Sequence, residues 1–295
     1  MKVKHFDSID WLKYINLMEP QPSLKDACVR YENNLKSIIS KKLKYKKTPV
    51  LMLSGGVDSM VILSILKKLN KKIICIHINY NNRDETGLEE EFLIEWCKVL
   101  DIELIVHNIN EIYRNESKRS YYEDMTKEIR FNLYKKIINI NRCSEVILGH
   151  HKDDIIDNVF NNISRGRNIL DLTVLKIDNT IKNVNLSRPL LNIHKDKILD
   201  FAEKYNVPYF KDTTPDWSLR GIFRRQILPL LKNTYSNNIT KNLFNISEQS
   251  DEWNSLIQEK IIQPFMEDIH INNKIVMFNI KEHVNSPNCF WKVVF

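Results

Sequence analysis

Val50-Leu51-Met52-Leu53-Ser54-Gly55-Gly56-Val57-Asp58-Ser59 decides the fold of this chain. The first four residues form a short apolar run, as expected of a strand buried on both faces in a parallel sheet. After the glycine pair, Val61, Ile62, Ile65, Leu66 and Leu69 fall on one helical face. A strand, a glycine turn and a helix start together make an anion site. Glycines let backbone N–H groups close around phosphate oxygens, and the helix start adds positive potential. The hydroxyls of Ser54 and Ser59 can donate to a pyrophosphate. Asp58 would repel phosphate, a conflict that a magnesium ion between them resolves. An ordinary Gly-Gly turn before a helix is the plain alternative.

Outward from this stretch the alternation repeats. Ile73–Ile78, Ile102–Val106 and Val146–Leu148 read as strands. Leu88, Phe92, Trp96 and Leu100 mark an intervening helix, as do Met125, Ile129, Leu133 and Ile137, and then Ile156, Val159, Phe160 and Ile163. Repeated strand–helix units predict an α/β fold, a doubly wound parallel sheet with its sites at the carboxyl ends of the strands. Beyond about residue 170 the pattern loosens. Helices are expected over 193–205, 219–232 and 235–265, and strands or a docking segment over 274–295. The expected organisation is a helical extension over 1–45, a catalytic domain over 46–232, and a small α or α+β region over 233–295 that could contact nucleic acid.

Composition narrows the class. The 295 residues are 43% hydrophobic, enough for a sizeable core. No apolar run approaches the ~18 residues of a membrane span, and the amino terminus lacks the apolar stretch of a secretion signal. Five scattered cysteines without a CxxC pair argue against a disulfide framework, a zinc knuckle or a cysteine-held iron–sulfur cluster. A reducing, cytoplasmic setting is expected. The net charge of +7 suggests a polyanionic partner, although a Lys-rich proteome would give the same excess. The basic run Lys41–Lys47 reads as a solvated linker or as an RNA contact. With only six glycines in the chain, each is expected where no other residue works.

Ser54–Ser59 resembles the signature of the PP-loop ATP pyrophosphatases, without the GK[ST] ending of a Walker loop. Further segments resemble the tRNA(Ile)-lysidine synthetases within that superfamily: His77-Ile-Asn79-Tyr-Asn-Asn-Arg83, Glu128-Ile-Arg130-Phe131, Gly149-His150-His151-Lys152-Asp153-Asp154-Ile-Ile-Asp157, Arg188-Pro-Leu-Leu191, and Arg220-Gly-Ile-Phe-Arg224-Arg225-Gln-Ile-Leu-Pro229. The resemblance runs from about 48 to 232. Asp157 stands where that family usually has Glu, Gly221 where it usually has Asn, and Asp212-Thr-Thr-Pro215 matches only loosely.

The resemblance implies ATP held by Ser54, Gly55, Gly56, Val57, Asp58, Ser59, His77 and Gly149, with Mg2+ at Asp58. It implies Asp58, Arg130, His150 and Arg224 as catalytic groups, Asp154 and Asp157 as the site of free L-lysine, and Arg83, Arg188, Arg220 and Arg225 as tRNA contacts. The implied reaction adenylates the C2 oxygen of cytidine 34 in a tRNA(Ile) with a CAU anticodon, after which the lysine ε-amine displaces AMP. Read from the residues alone, an imidazole at His150 or His151 binds an AMP phosphate after protonation, relays a proton, or merely caps. The aspartates hold an ammonium or complement a helix dipole. The arginines grip phosphates or serve surface solubility. A tRNA thiolation enzyme and a catalytically silent RNA- or nucleotide-binding relative are the alternatives. The oligomeric state is left open, a homodimer included.

Overall fold

The computed structural model describes residues 48–83, 85–211, 214–272 and 275–295. The expected helical extension over 1–45 lies outside them, as does part of the Asp212–Pro215 segment.

Six strands form one sheet: β1 Val50–Met52, β2 Ile74–Asn79, β3 Glu103–Asn108, β4 Val146–Ile147, β5 Asp178–Ile181 and β6 Val184–Ser187, in the spatial order β3-β2-β1-β4-β6-β5. Five run parallel, and β5 is antiparallel to β6. The connecting helices are α1 Val57–Lys68, α2 Thr86–Val99, α3 Arg119–Asn141, α4 Lys152–Ser164 and α5 Lys195–Lys204. The chain winds outward from β1 to β3 and then returns to β4 on the other side of β1, so the strand order reverses between β1 and β4. Ligands of open α/β sheets bind outside the carboxyl ends of strands at such a switch point.

Side-chain alternation along the strands divides the core between the two faces. Leu51 and Cys75 pack with Met60, Leu63 and Leu66 of α1, Phe92, Leu93 and Trp96 of α2, and Ile198 and Ala202 of α5. Val50, Ile74, Ile76 and Ile78 pack with Phe131, Tyr134 and Ile137 of α3. Helices thus cover both faces, which is why the central strands read as continuous apolar runs rather than alternating ones.

The hairpin β5–β6 is absent from the sequence reading. Its strands have four residues each, and its two-residue turn is Lys182-Asn183, both at positive φ (50° and 63°). This is the backbone of a type I′ turn, normally signalled by Asn-Gly or Asp-Gly. Here Asn183 tolerates the left-handed region and Lys182 is carried along by the pairing.

The helix expected over 219–232 is one continuous rod over residues 219–234. It comprises α6 Leu219–Ile222, a π turn Phe223–Ile227, and α7 Leu228–Thr234. Ser218 caps it, its Oγ accepting from the Gly221 N–H at 3.0 Å. The departure at Gly221 has a steric cause, since a Cβ there would lie 2.3 Å from the Pro215 carbonyl oxygen.

The chain divides into two compact units. Among the described residues, one comprises those from 48 to 154 and from 176 to 228, and the other those from 155 to 175 and from 229 to 295. In the second, α8 Ile239–Ile257 continues through a π turn Gln258–Ile262 into α9 Gln263–Glu267. Ser250 is buried on α8; its Oγ donates to the Ile169 carbonyl at 2.7 Å and accepts from the Leu172 N–H at 3.2 Å. A hairpin of β7 His270–Asn272 and β8 Ile275–Met277 follows. The run from Trp291 to Phe295 is not a strand but the end of α10 Asn288–Val294. Phe265, Phe290 and Trp291 meet edge to face there, with ring centroids 4.9–5.9 Å apart.

Candidate nucleotide and adenylation site

The glycine turn closes on itself through its serines. Gly55 sits at φ +79°, a conformation that favours glycine. The Ser59 Oγ donates to the Gly56 carbonyl at 3.0 Å, lies 3.2 Å from the Ser54 Oγ, and accepts from the Ser54 N–H at 3.2 Å. The turn is braced from outside by Phe210, whose N–H donates to the Gly55 carbonyl at 3.0 Å. The Phe210 ring meets Phe92 edge to face at 5.2 Å. Val57 is buried at the start of α1 and anchors the turn to the core.

His77 lies on β2, 4% exposed, with Nδ1 2.9 Å from the Leu53 carbonyl oxygen. A carbonyl only accepts, so Nδ1 carries the proton and Nε2 is an acceptor. That Nε2 is buried and has no partner among the described residues. Burial pushes the His77 pKa down, outweighing the Leu53 contact and Glu90. A neutral acceptor at this depth suits a donor such as the exocyclic amino group of an adenine.

The loop and the segment after β4 meet directly. A Cβ on Gly149 would lie 3.1 Å from Asp58 Cβ and 3.1 Å from the Ser59 nitrogen. These neighbours are backbone and Cβ, with little freedom to give. Gly149→Ala is therefore expected to displace the loop and weaken ATP binding by about 1–3 kcal/mol, the usual penalty of overpacking. Calorimetric titration with ATP checks this; an unchanged Kd would mean that the contact relaxes.

Asp58 accepts from the Lys195 Nζ at 2.8 and 2.7 Å. Lys195 opens α5, which packs with α1 in one core, so the pair spans the beginnings of two helices. The sequence reading missed Lys195, which sits in no motif. His151 is 2% exposed, with Nε2 3.9 Å from Asp58 and 3.6 Å from Asp154. Burial holds its pKa down, against the pull of Asp154 and Asp58.

Asp154 is the hub of the site. Only 3% exposed, it accepts from the His151 N–H at 2.9 Å and from Arg224 at 2.7 Å, with Arg220 at 3.2 Å. Burial alone would raise its pKa. Arg220, then the two histidines and Arg224, outweigh burial and hold the carboxyl well below the usual range. Arg220 and Arg224 are thus brought to the turn after β4. Asp157, three residues further along α4, is buried.

The other arginines fare differently. Arg130 on α3 lies with its Nη1 3.5 Å from the Tyr80 hydroxyl, beside the buried Tyr134. Arg83 forms a two-toothed pair with Glu89 at 2.8 and 3.1 Å. Arg225 pairs with Asp216 and donates to the Thr214 carbonyl at 3.0 Å. The expectation of a tRNA contact gives way at Arg188. Its side chain is 3% exposed, and Nη1 donates to the Lys176 carbonyl and to Asn179 Oδ1, both at 2.8 Å. Such a buried guanidinium does not reach a polyanion.

Comparison with known proteins agrees with this geometry. A sequence model of the PP-loop domain matches residues 28–231. The chain is 26% identical over 256 residues to a tRNA(Ile)-lysidine synthase of Chlamydia felis, covering 86% of this chain and 80% of that one. It is 28% identical over 244 residues to the tRNA(Ile)-lysidine synthase of Chlamydia muridarum, covering 82% and 74%. Among solved structures, the U34-tRNA thiolase NcsA of Methanococcus maripaludis, with its [4Fe-4S] cluster, superposes with a TM-score of 0.58. That match has 19% identity and covers 78% of this chain and 79% of that one, a likeness of fold. A glycine turn at the switch point, a histidine pair behind it and a match over 28–231 make one case: the chain belongs to the PP-loop family.

Proposed function

We propose that the protein is a tRNA(Ile)-lysidine synthetase-like ligase. It uses ATP to adenylate the C2 oxygen of cytidine 34 in a tRNA(Ile) with a CAU anticodon, and free L-lysine then displaces AMP through its ε-amine. The observation that carries this reading is the close packing of Gly149 on Asp58 and Ser59, which joins the triphosphate loop to the turn bearing His150, His151 and Asp154. A nucleotide held at the loop has its α-phosphate end directed to groups that can stabilise charge as pyrophosphate departs.

Ser54, Gly55, Gly56, Val57 and Ser59 grip the phosphates, and His77 accepts from the adenine. Lys195, Arg220 and Arg224 supply positive charge. Magnesium is generally held by one or two carboxylates together with substrate phosphates. Asp58 fits as the one protein ligand, and Lys195 would then pass to a phosphate oxygen. The ion would neutralise charge on the triphosphate. Asp154 and Asp157 are the carboxylates for the lysine ammonium, and at Asp154 that ammonium competes with two arginines. Arg130 beside Tyr80 stands near enough to His150 to act on its charge and serves the reacting phosphate.

For tRNA, the charge distribution favours the amino-terminal segment over the tail. Residues 1–47 hold 11 Lys and Arg against 5 Asp and Glu, whereas residues 229–295 hold 6 Lys against 7 Asp and Glu. Most of the +7 excess therefore lies before the first strand. Among the described residues no helix is long and apolar enough to cross a membrane, and a cytoplasmic setting is part of the proposal.

The test is mass spectrometry of nucleoside 34 in tRNA after incubation with ATP and lysine, with pyrophosphate release measured alongside. Lysidine and lysine-dependent release are the expected results. Release that depends on a sulfur donor would favour thiolation, and no turnover would favour a silent relative.

A further inference from the structure

We propose that Arg188 is a positioning residue that fixes His150 as a neutral imidazole with its proton on Nε2, presenting a hydrogen-bond donor to the oxygen that gains charge during adenylation. The role in adenylation rests on the function proposed above; the tautomer does not.

Arg188 follows β6 and is enclosed, with Nη1 held by the Lys176 carbonyl and Asn179 Oδ1 at 2.8 Å each. Its remaining edge points at His150, where Nε lies 3.2 Å from Nδ1. A guanidinium has five donors and no acceptor, and it does not lose its proton in proteins. The Nδ1 atom must therefore contribute a lone pair, and a neutral imidazole carries its single proton on the other nitrogen. Protonating Nδ1 would set two N–H groups face to face at the end of a side chain pinned by two further hydrogen bonds.

The surrounding charges act in the same direction on balance. Burial is the largest influence and pushes the His150 pKa down. Asp154 favours the imidazolium, while Arg220, Arg188 and Arg130 oppose it, and the pKa falls to about 3. His150 Nε2 makes no hydrogen bond to a described residue, and the side chain is partly exposed. One face of the ring is thus fixed by Arg188, and the opposite nitrogen is available to a substrate.

This arrangement decides between two roles that the motif left open. A histidine locked in this way cannot accept a proton from cytidine or from lysine near neutral pH. It can donate a hydrogen bond to a phosphate or base oxygen without adding a charge to a site already rich in arginine. Proton removal must fall to another group or to water.

The experiment is long-range 15N–1H correlation on the full-length protein with labelled histidine, recorded from about pH 5 to 9, with His150→Gln used to assign the signal. Expected is a protonated Nε2, an unprotonated Nδ1 and no titration over that window. Arg188→Met should release the ring into mixed tautomers that titrate nearer the ordinary value of about 6.5. It should also lower kcat about tenfold or more with little change in KM for ATP, the cost of a misplaced hydrogen bond to a charged group. Arg188→Lys, which retains a donor, should restore the wild-type tautomer and much of the rate. A proton on Nδ1 in the wild type, a midpoint between about 6 and 7, or an unchanged tautomer in Arg188→Met would overturn the proposal. If Arg188→Met fails to fold, the wild-type and Arg188→Lys spectra still decide it. A wild type that shows the tautomer and makes no lysidine would defeat the proposed function and leave this inference standing.

Discussion

Replacing Asp58 with asparagine is expected to lower pyrophosphate release by about a thousandfold or more, with the fold retained. The magnitude is that of losing a preorganised charge at a site of developing transition-state charge. The substitution keeps the shape and removes the carboxylate that Lys195 grips at 2.7 and 2.8 Å. Asp58 is partly exposed at the head of α1, outside the apolar cluster that holds the helix to the sheet, so little stability depends on it. The measurement is steady-state pyrophosphate release at saturating ATP, paired with a thermal melt. More than a tenth of wild-type turnover in a folded variant would remove Asp58 from the mechanism.

Asp154→Ala should instead act on both stability and rate. The substitution leaves the guanidinium ions of Arg220 and Arg224 without this carboxylate, and leaves the His151 N–H without its acceptor. Removing one partner of a buried ion pair costs about 3–5 kcal/mol. The lower end is expected here, because Arg220 and Arg224 remain 42% and 28% exposed and water takes up part of the loss. Urea unfolding measures it. The pH dependence follows from the sign of the shift. The folded-state pKa of Asp154 is depressed, so its contribution is fully present above the unfolded carboxylate value near ~4. It is lost as pH falls below that value toward the folded pKa. The stability gap between wild type and variant should stay constant between about pH 5 and 8 and narrow in acid. A gap that widened in acid would mean that the carboxyl is not held by the arginines.

Much of this site was legible in the sequence because its parts are local. Ser54 to Ser59 is a turn whose chemistry is carried by adjacent residues, and a buried strand before it with a helical face after it fixes the context. The doubly wound order followed from the same alternation. What remained hidden depends on contacts between distant positions. Lys195 reaches Asp58 across 137 positions, and Arg188 reaches His150 across 38. An arginine in sequence reads as a surface cation that meets a polyanion. Only the packing of the β5–β6 hairpin shows that Arg188 is interior, and that hairpin was itself unreadable because its strands are short and polar. Asp154 is similar: two carboxylates three apart suggest an ammonium site, and nothing in that spacing tells that one of them also serves two arginines.

The β5–β6 hairpin also bears on how the protein avoids self-association. An edge strand offers unpaired backbone groups to any other extended chain, and folded proteins blunt such edges with short, polar strands. β5 is four residues long, reads Asp178-Asn179-Thr180-Ile181, and runs against its neighbour; the turn beside it is tied to α3 by the ion pair of Lys182 with Glu128. Intermolecular strand addition is therefore discouraged on this side of the sheet. On this six-stranded sheet it would have to begin at β3, the longer opposite edge, where Leu104, Ile105 and Val106 are only half-buried.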